Sequence, residues 1–112
     1  MTLKDVADMM SEVGIPTAYY EFKETQQGPP YLCFWYDSDN DFLADDTNYQ
    51  KITNLIVELY TDDKDPEMEA AVESVLGSHG LVYSRAEQRL SDEQMTEVIY
   101  QTNIIITEES NG

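Results

Sequence analysis

Acidic residues dominate the groups in this chain that could do chemistry, and one dense run begins at Asp37. Asp37, Asp39 and Asp41 stand at the first, third and fifth positions of a calcium-binding loop, where alternating carboxylates wrap a hard cation. The rest of that pattern is missing. The sixth position is Phe42 instead of a turn-forming Gly, and the twelfth is Asn48 instead of a bidentate Glu. Strands, not helices, are expected on either side. The expectation is weak cation association with an acidic loop and no specific calcium site.

The other reactive side chains are solitary. His79, the one histidine, lies between Ser78 and Gly80 where a helix should end, a place where histidine satisfies terminal carbonyls. No Cys or His clusters with it to form a metal or catalytic set. Cys33, the one cysteine, lies inside Tyr31-Leu32-Cys33-Phe34-Trp35-Tyr36. A single thiol forms no internal disulfide and fits a reducing cytoplasm. It has no nearby cation to activate it, so it is expected to be a small buried hydrophobe. Carboxylate pairs are too abundant for any one to be informative, because catalytic pairs need environments that push their pKa values apart. There is no phosphate-cradling Gly motif and no Ser or Cys in a nucleophile context. The chain reads as non-enzymatic, with no cofactor and no metal.

The aromatics offer a different chemistry, that of contact. Tyr19, Tyr20, Phe22, Tyr31, Phe34, Trp35 and Tyr36 fall on two neighbouring predicted strands and supply rings to both faces. Two helices cannot cover both faces of a small sheet. One aromatic face is therefore a candidate interface, with Tyr19, Trp35 and Tyr36 as its members.

The elements that must position these residues follow from periodicity. Leu3, Val6, Met10 and Val13 share one face of a helix predicted over 2–13. Thr2 and Asp5 have capping-box spacing, and Gly14 and Pro16 stop the helix. Residues 17–23 alternate, with Ala18, Tyr20 and Phe22 on one side and Tyr19, Glu21 and Lys23 on the other. Residues 31–36 are apolar on both faces and read as a central strand, so the two segments are expected to form a hairpin around Gln26–Pro30. A polar loop over 37–50 precedes a strand from Ile52 to Thr61, with Leu55, Val57 and Leu59 inward and Asn54, Glu58 and Tyr60 on the other face. Asp65 is the expected N-cap of a second helix, with Pro66 at its first position and Glu67 and Glu69 on the positive end of the dipole. Met68, Ala71, Val72, Val75 and Leu76 form its buried stripe; Gly77 and Gly80 end it. Two strands, about 81–89 and 96–107, are joined by Ser91–Gln94, and the polar tail from Glu108 to Gly112 is expected to fray. The order α-β-β-β-α-β-β gives an α+β fold: a mostly antiparallel sheet of about five strands with two helices on one face.

Composition limits the partners. The 112 residues fit one domain, 1–112, and 41% apolar content supplies one core. An aromatic content of 11% argues against disorder. Six basic residues against twenty-three acidic ones give a formal charge of −17. That excludes sequence-directed nucleic-acid binding, which needs Lys and Arg on phosphates, and disfavours an anionic membrane surface. No apolar run approaches the ~20 residues of a membrane span, and the N-terminus lacks a signal-peptide apolar region.

Several stretches carry a resemblance: Thr17-Ala18-Tyr19-Tyr20-Glu21-Phe22, Pro29-Pro30-Tyr31-Leu32-Cys33-Phe34-Trp35-Tyr36, Phe42-Leu43-Ala44-Asp45-Asp46 and Ile56-Val57-Glu58-Leu59-Tyr60-Thr61. With Lys64-Asp65-Pro66-Glu67 opening a helix that ends in Val75-Leu76, they span roughly residues 15–107. They resemble the tail completion, or tail terminator, proteins of siphophages and prophages of Gram-positive hosts. The resemblance implies a virion protein, made in the host cytoplasm, that caps the tail tube as a ring, usually a hexamer. Its implied partners are other copies of itself, the tail tube protein and the head connector. On that reading the loop residues Asp37, Asp39, Asp41, Phe42, Asp45 and Asp46 line an interface or the lumen, where acids repel passing DNA. The alternatives are another head–tail connector component and an acidic DNA mimic that occupies a DNA-binding enzyme.

Overall fold

The computed structural model describes residues 1–22, 28–37 and 50–107. The elements run α1 (Leu3–Ser11), β1 (Thr17–Tyr19), β2 (Tyr31–Asp37), β3 (Gln50–Thr61), α2 (Pro66–Ser78), β4 (Ser84–Leu90) and β5 (Met95–Thr107). This is the expected order, and the five strands form one sheet in the order β1-β2-β3-β5-β4. Most of the loop expected over 37–50, the centre of the connection expected before Pro30, and the tail from Glu108 lie outside the described residues.

Both helix starts are encoded locally. The Thr2 hydroxyl accepts from the Asp5 N–H at 3.1 Å, and the Asp5 carboxylate accepts from the Thr2 N–H at 2.9 Å, which completes the capping box. Asp65 caps α2 by accepting from the Met68 N–H at 3.1 Å, with Pro66 next in line. At its other end Gly80 takes φ +73°, and the Leu81 N–H reaches back to the Leu76 carbonyl at 3.0 Å. That is a Schellman closure, for which a residue without a Cβ is favoured. Gly80 thus ends the helix, whereas Gly77 lies within its last turn.

The sheet is mixed. β2–β3, β3–β5 and β5–β4 are antiparallel, but β1 runs parallel to β2, pairing Thr17 with Leu32 and Tyr19 with Phe34. The hairpin expected from 17–36 is therefore corrected. Period-two alternation assigns faces but is silent on strand direction. The strand is also shorter than 17–23: Tyr20 turns out at φ +70°, its N–H still donating to the Phe34 carbonyl at 2.7 Å.

Side-chain alternation sorts the sheet into two faces. Leu32, Phe34, Leu55, Val57, Leu59, Val98 and Tyr100 form one core with Val6, Met9 and Met10 of α1 and Val72 and Leu76 of α2. Both helices thus cover the same face. Each such side chain contributes roughly 1.5–3 kcal/mol by leaving water. Leu3, expected in the α1 stripe, is 54% exposed; Met9 takes the third buried place in its stead. Glu69, expected at the positive end of the α2 dipole, lies in the first turn of α2 as expected and is buried there.

Candidate interaction surface

Tyr31, Cys33 and Trp35 of β2, Ile56, Glu58 and Tyr60 of β3, and Glu97 and Ile99 of β5 alternate with the core residues and so point away from the helices. Among the described residues no helix packs on this side. The rings organise it instead. Tyr31 stacks on Tyr60 with centroids 4.9 Å apart, Phe22 meets Tyr31 edge-on at 5.4 Å, and Tyr20 meets Trp35 at 6.1 Å. Aromatic pairs at these separations add about 0.5–1.5 kcal/mol beyond their buried area. The expected alternation of Ala18, Tyr20 and Phe22 thus holds past the end of β1.

Two carboxyls sit among these rings. Glu58 and Glu97 lie diagonally across the β3–β5 ladder and influence each other, and two carboxyls so placed hydrogen-bond only when they share one proton. Burial, followed by the nearby Glu97 carboxyl, pushes Glu58 up to about 7, opposed by the polar groups of Trp35 and Tyr60. Glu97 is 5% exposed. Burial pushes it up too, but hydrogen bonds from Glu58, Gln88 and Tyr60 together outweigh that and hold it below the usual carboxylate value. Tyr60 donates to Glu97 Oε2 at 2.8 Å, and Gln88 donates to the other oxygen. Cys33 faces Glu58 across the β2–β3 ladder. Burial first, then the Glu58 and Glu21 charges, push its thiol up to about 11, so it is the inert buried group the sequence indicated.

The residues named from sequence divide. Trp35 lies on the open face. Tyr19 and Tyr36 do not join it: they pack with Phe34 on the helix side, Tyr19 lying 5.4 Å from Phe34 and 5.7 Å from Tyr36, ring to ring. Tyr36 is the next residue to Trp35 on β2, and Tyr19 pairs with Phe34 in the parallel register, so alternation puts both on the side opposite Trp35. Asp37 ends β2 opposite Asn54. Asp39, Asp41, Phe42, Asp45 and Asp46, with the calcium-loop comparison, lie outside the described residues. His79 is placed at the α2 C-cap, but its side chain meets Glu12 Oε2 at 2.8 Å and so links the ends of the two helices.

One cluster was not anticipated. Buried Glu69 accepts from Lys64 at 3.0 Å and from Arg85 at 2.5 Å through a single oxygen. Arg85 also reaches Glu73 at 2.8 Å and Glu87 at 3.0 Å, and the Tyr100 hydroxyl donates to Glu73 at 2.8 Å. Hydrogen bonding to Glu69 is the main influence raising the Arg85 pKa. The signal was available in β4, where Arg85, Glu87 and Arg89 alternate with Ala86 and Gln88 and so share the helix side.

Among the described residues no three His, Cys, Asp or Glu side chains are arranged to hold a metal ion. No described helix is long and apolar enough to cross a membrane.

No family model and no curated protein matches the chain. Among solved structures, a chain from the virion of a native gene transfer agent particle is similar in fold: TM-score 0.60, 13% identity, 95% of this chain and 89% of that one covered.

Proposed function

We propose that this chain is a structural, non-enzymatic component of a phage-type virion that acts by assembling with other proteins. The observation that carries this reading is the fold likeness to a virion chain over 95% of the sequence. Two features support it: an aromatic sheet face without a covering helix, and a charge of −17 that suits a protein lying beside DNA without holding it. Within that role, the resemblance of 15–107 to tail completion proteins supports a position at the head-proximal end of the tail. There it closes a ring of identical copies, usually six, between the tail tube protein and the head connector. Each contact in such a ring joins two different patches.

The test is electron microscopy of particles assembled with and without the protein. The expected result without it is tails of uncontrolled length or tails unattached to heads. Normal tails joined normally to heads would overturn the placement.

A further inference from the structure

Among the described residues, the open face of the sheet has acids and rings but no cation. Glu58 and Glu97 stand among Tyr20, Tyr31, Trp35 and Tyr60, and the neighbouring open-face positions of β4 are Ser84, Ala86, Gln88 and Leu90. The chain has only two arginines, and both are engaged on the other side of the sheet. Arg85 binds Glu69, Glu73 and Glu87. Arg89 donates to the Asp62 carbonyl and to the Thr96 hydroxyl. Lys64 is held by Glu69 and Glu87, and Lys4 by Asp8 on α1. A second copy therefore brings no free guanidinium to this face and adds seventeen negative charges.

We propose that the open face is the docking site for a different, basic protein, which places an arginine against Glu58 and the Tyr31–Tyr60–Trp35 rings. A planar guanidinium suits both halves of that surface. It forms paired hydrogen bonds to a carboxylate and lies flat on an aromatic ring. Glu58, the more exposed of the two carboxyls, receives it, with Glu97 behind. The proton shared by the pair leaves as the arginine arrives, because the cation takes its place and the pair with its partner keeps the same net charge.

That exchange distinguishes the site from general attraction to an acidic protein. The groups facing the pair are Cys33, Tyr31, Tyr60 and, at the margin, Glu21 and Glu93. The thiol and the phenols are protonated across the neutral range, their titrations pushed up by burial. Glu58, which titrates at about 7, therefore sets the pH dependence.

The inference rests on the assembly reading only in treating the face as a protein contact, and its test uses no virion component. A capped pentapeptide alternating arginine and valine is titrated into the full chain at ~0.15 M salt, which shortens general attraction to about 8 Å. Fluorescence of Trp35, the single tryptophan, reports on this face directly. Release of one proton from a group near pH 7 makes binding about tenfold tighter at pH 8 than at pH 6. The expected result is that gain for the wild type, a flat profile and weaker binding at pH 8 for Glu58→Gln, and no response to the same peptide with neutral citrulline. The wild-type pH profile stands even if a variant folds poorly. Equal affinity at both pH values, or an Asp62→Asn/Asp63→Asn variant losing as much as Glu58→Gln, would overturn the proposal. So would citrulline binding as well as arginine. None of these results would bear on whether the protein belongs to a virion.

Discussion

Replacing Glu58 by Gln should stabilise the protein at alkaline pH and leave it unchanged at acid pH. A carboxyl whose pKa is higher folded than unfolded binds more protons in the folded state. The stability it contributes is present below its ordinary 4.5 and is lost as pH rises through about 7. At about 1.4 kcal/mol per pH unit, that interval sets a ceiling of about 3 kcal/mol. Two effects reduce it. Glu58 is half-buried, so water screens part of the cost. Glu97, held below its ordinary value, works in the opposite sense, contributing stability above 4.5 that is lost on acidification. The expected gain of Glu58→Gln over wild type is therefore about 1–2 kcal/mol at pH 8 and near zero at pH 5. The introduced amide resembles the protonated acid and can donate to Glu97. Urea unfolding from pH 5 to 8 measures the difference, which should appear as a midpoint shift of roughly 1 M at pH 8. A gap that does not change with pH, or a variant less stable than wild type at pH 8, would refute the proton-sharing argument.

Four other perturbations test separate parts of the molecule. Arg85→Met removes the shorter of two cationic contacts to buried Glu69; with Lys64 still in place the expected loss is about 2–3 kcal/mol. That is a melting temperature lower by about 8–12 °C for a chain of this size, and adding Glu69→Gln should recover part of it. Asp65→Ala deletes the acceptor for the Met68 N–H and should cost about 1 kcal/mol in urea unfolding, with Asp65→Asn close to neutral. Self-association, followed by sedimentation, should rise with salt, because the Debye length falls from about 30 Å at 0.01 M to about 3 Å at 1 M. On the proposed tail role, Asp45→Ala/Asp46→Ala should alter head–tail joining while leaving unfolding unchanged, as expected of acids in a polar stretch of sequence.

The parts of this fold that were legible in the sequence are those fixed by local chemistry. The Asp65-Pro66 start of α2 and the Thr2–Asp5 box are encoded within four residues of each other. The alternation through β3 assigned Leu55, Val57 and Leu59 to the core and Glu58 and Tyr60 to the opposite face, as observed. What failed depends on contacts distant in sequence. Nothing in residues 17–36 specifies whether the second strand pairs parallel or antiparallel with the first. Glu69 looked like a solvated helix-start acid because its partner Arg85 lies sixteen residues away on another strand. Glu97 was hidden in the same way: its burial makes sense only once Tyr60, Glu58 and Gln88 surround it.

These two hidden acids also show why the two sides of the sheet behave differently. Burying a carboxylate costs several kcal/mol unless a charge or a proton compensates it. On the helix side the chain supplies the charge itself, committing Lys64 and Arg85 to Glu69. On the open side it supplies a proton, shared between Glu58 and Glu97, and hydrogen bonds from neutral groups. A proton is the compensation that depends on solution conditions and that an incoming cation can replace. The helix side is thus electrostatically closed, and the open side is closed only at acid pH. With seventeen excess negative charges and both arginines already committed, the chain is suited to take that cation from another molecule, as proposed above. The face where it is missing is the one the aromatics have already made suitable for contact.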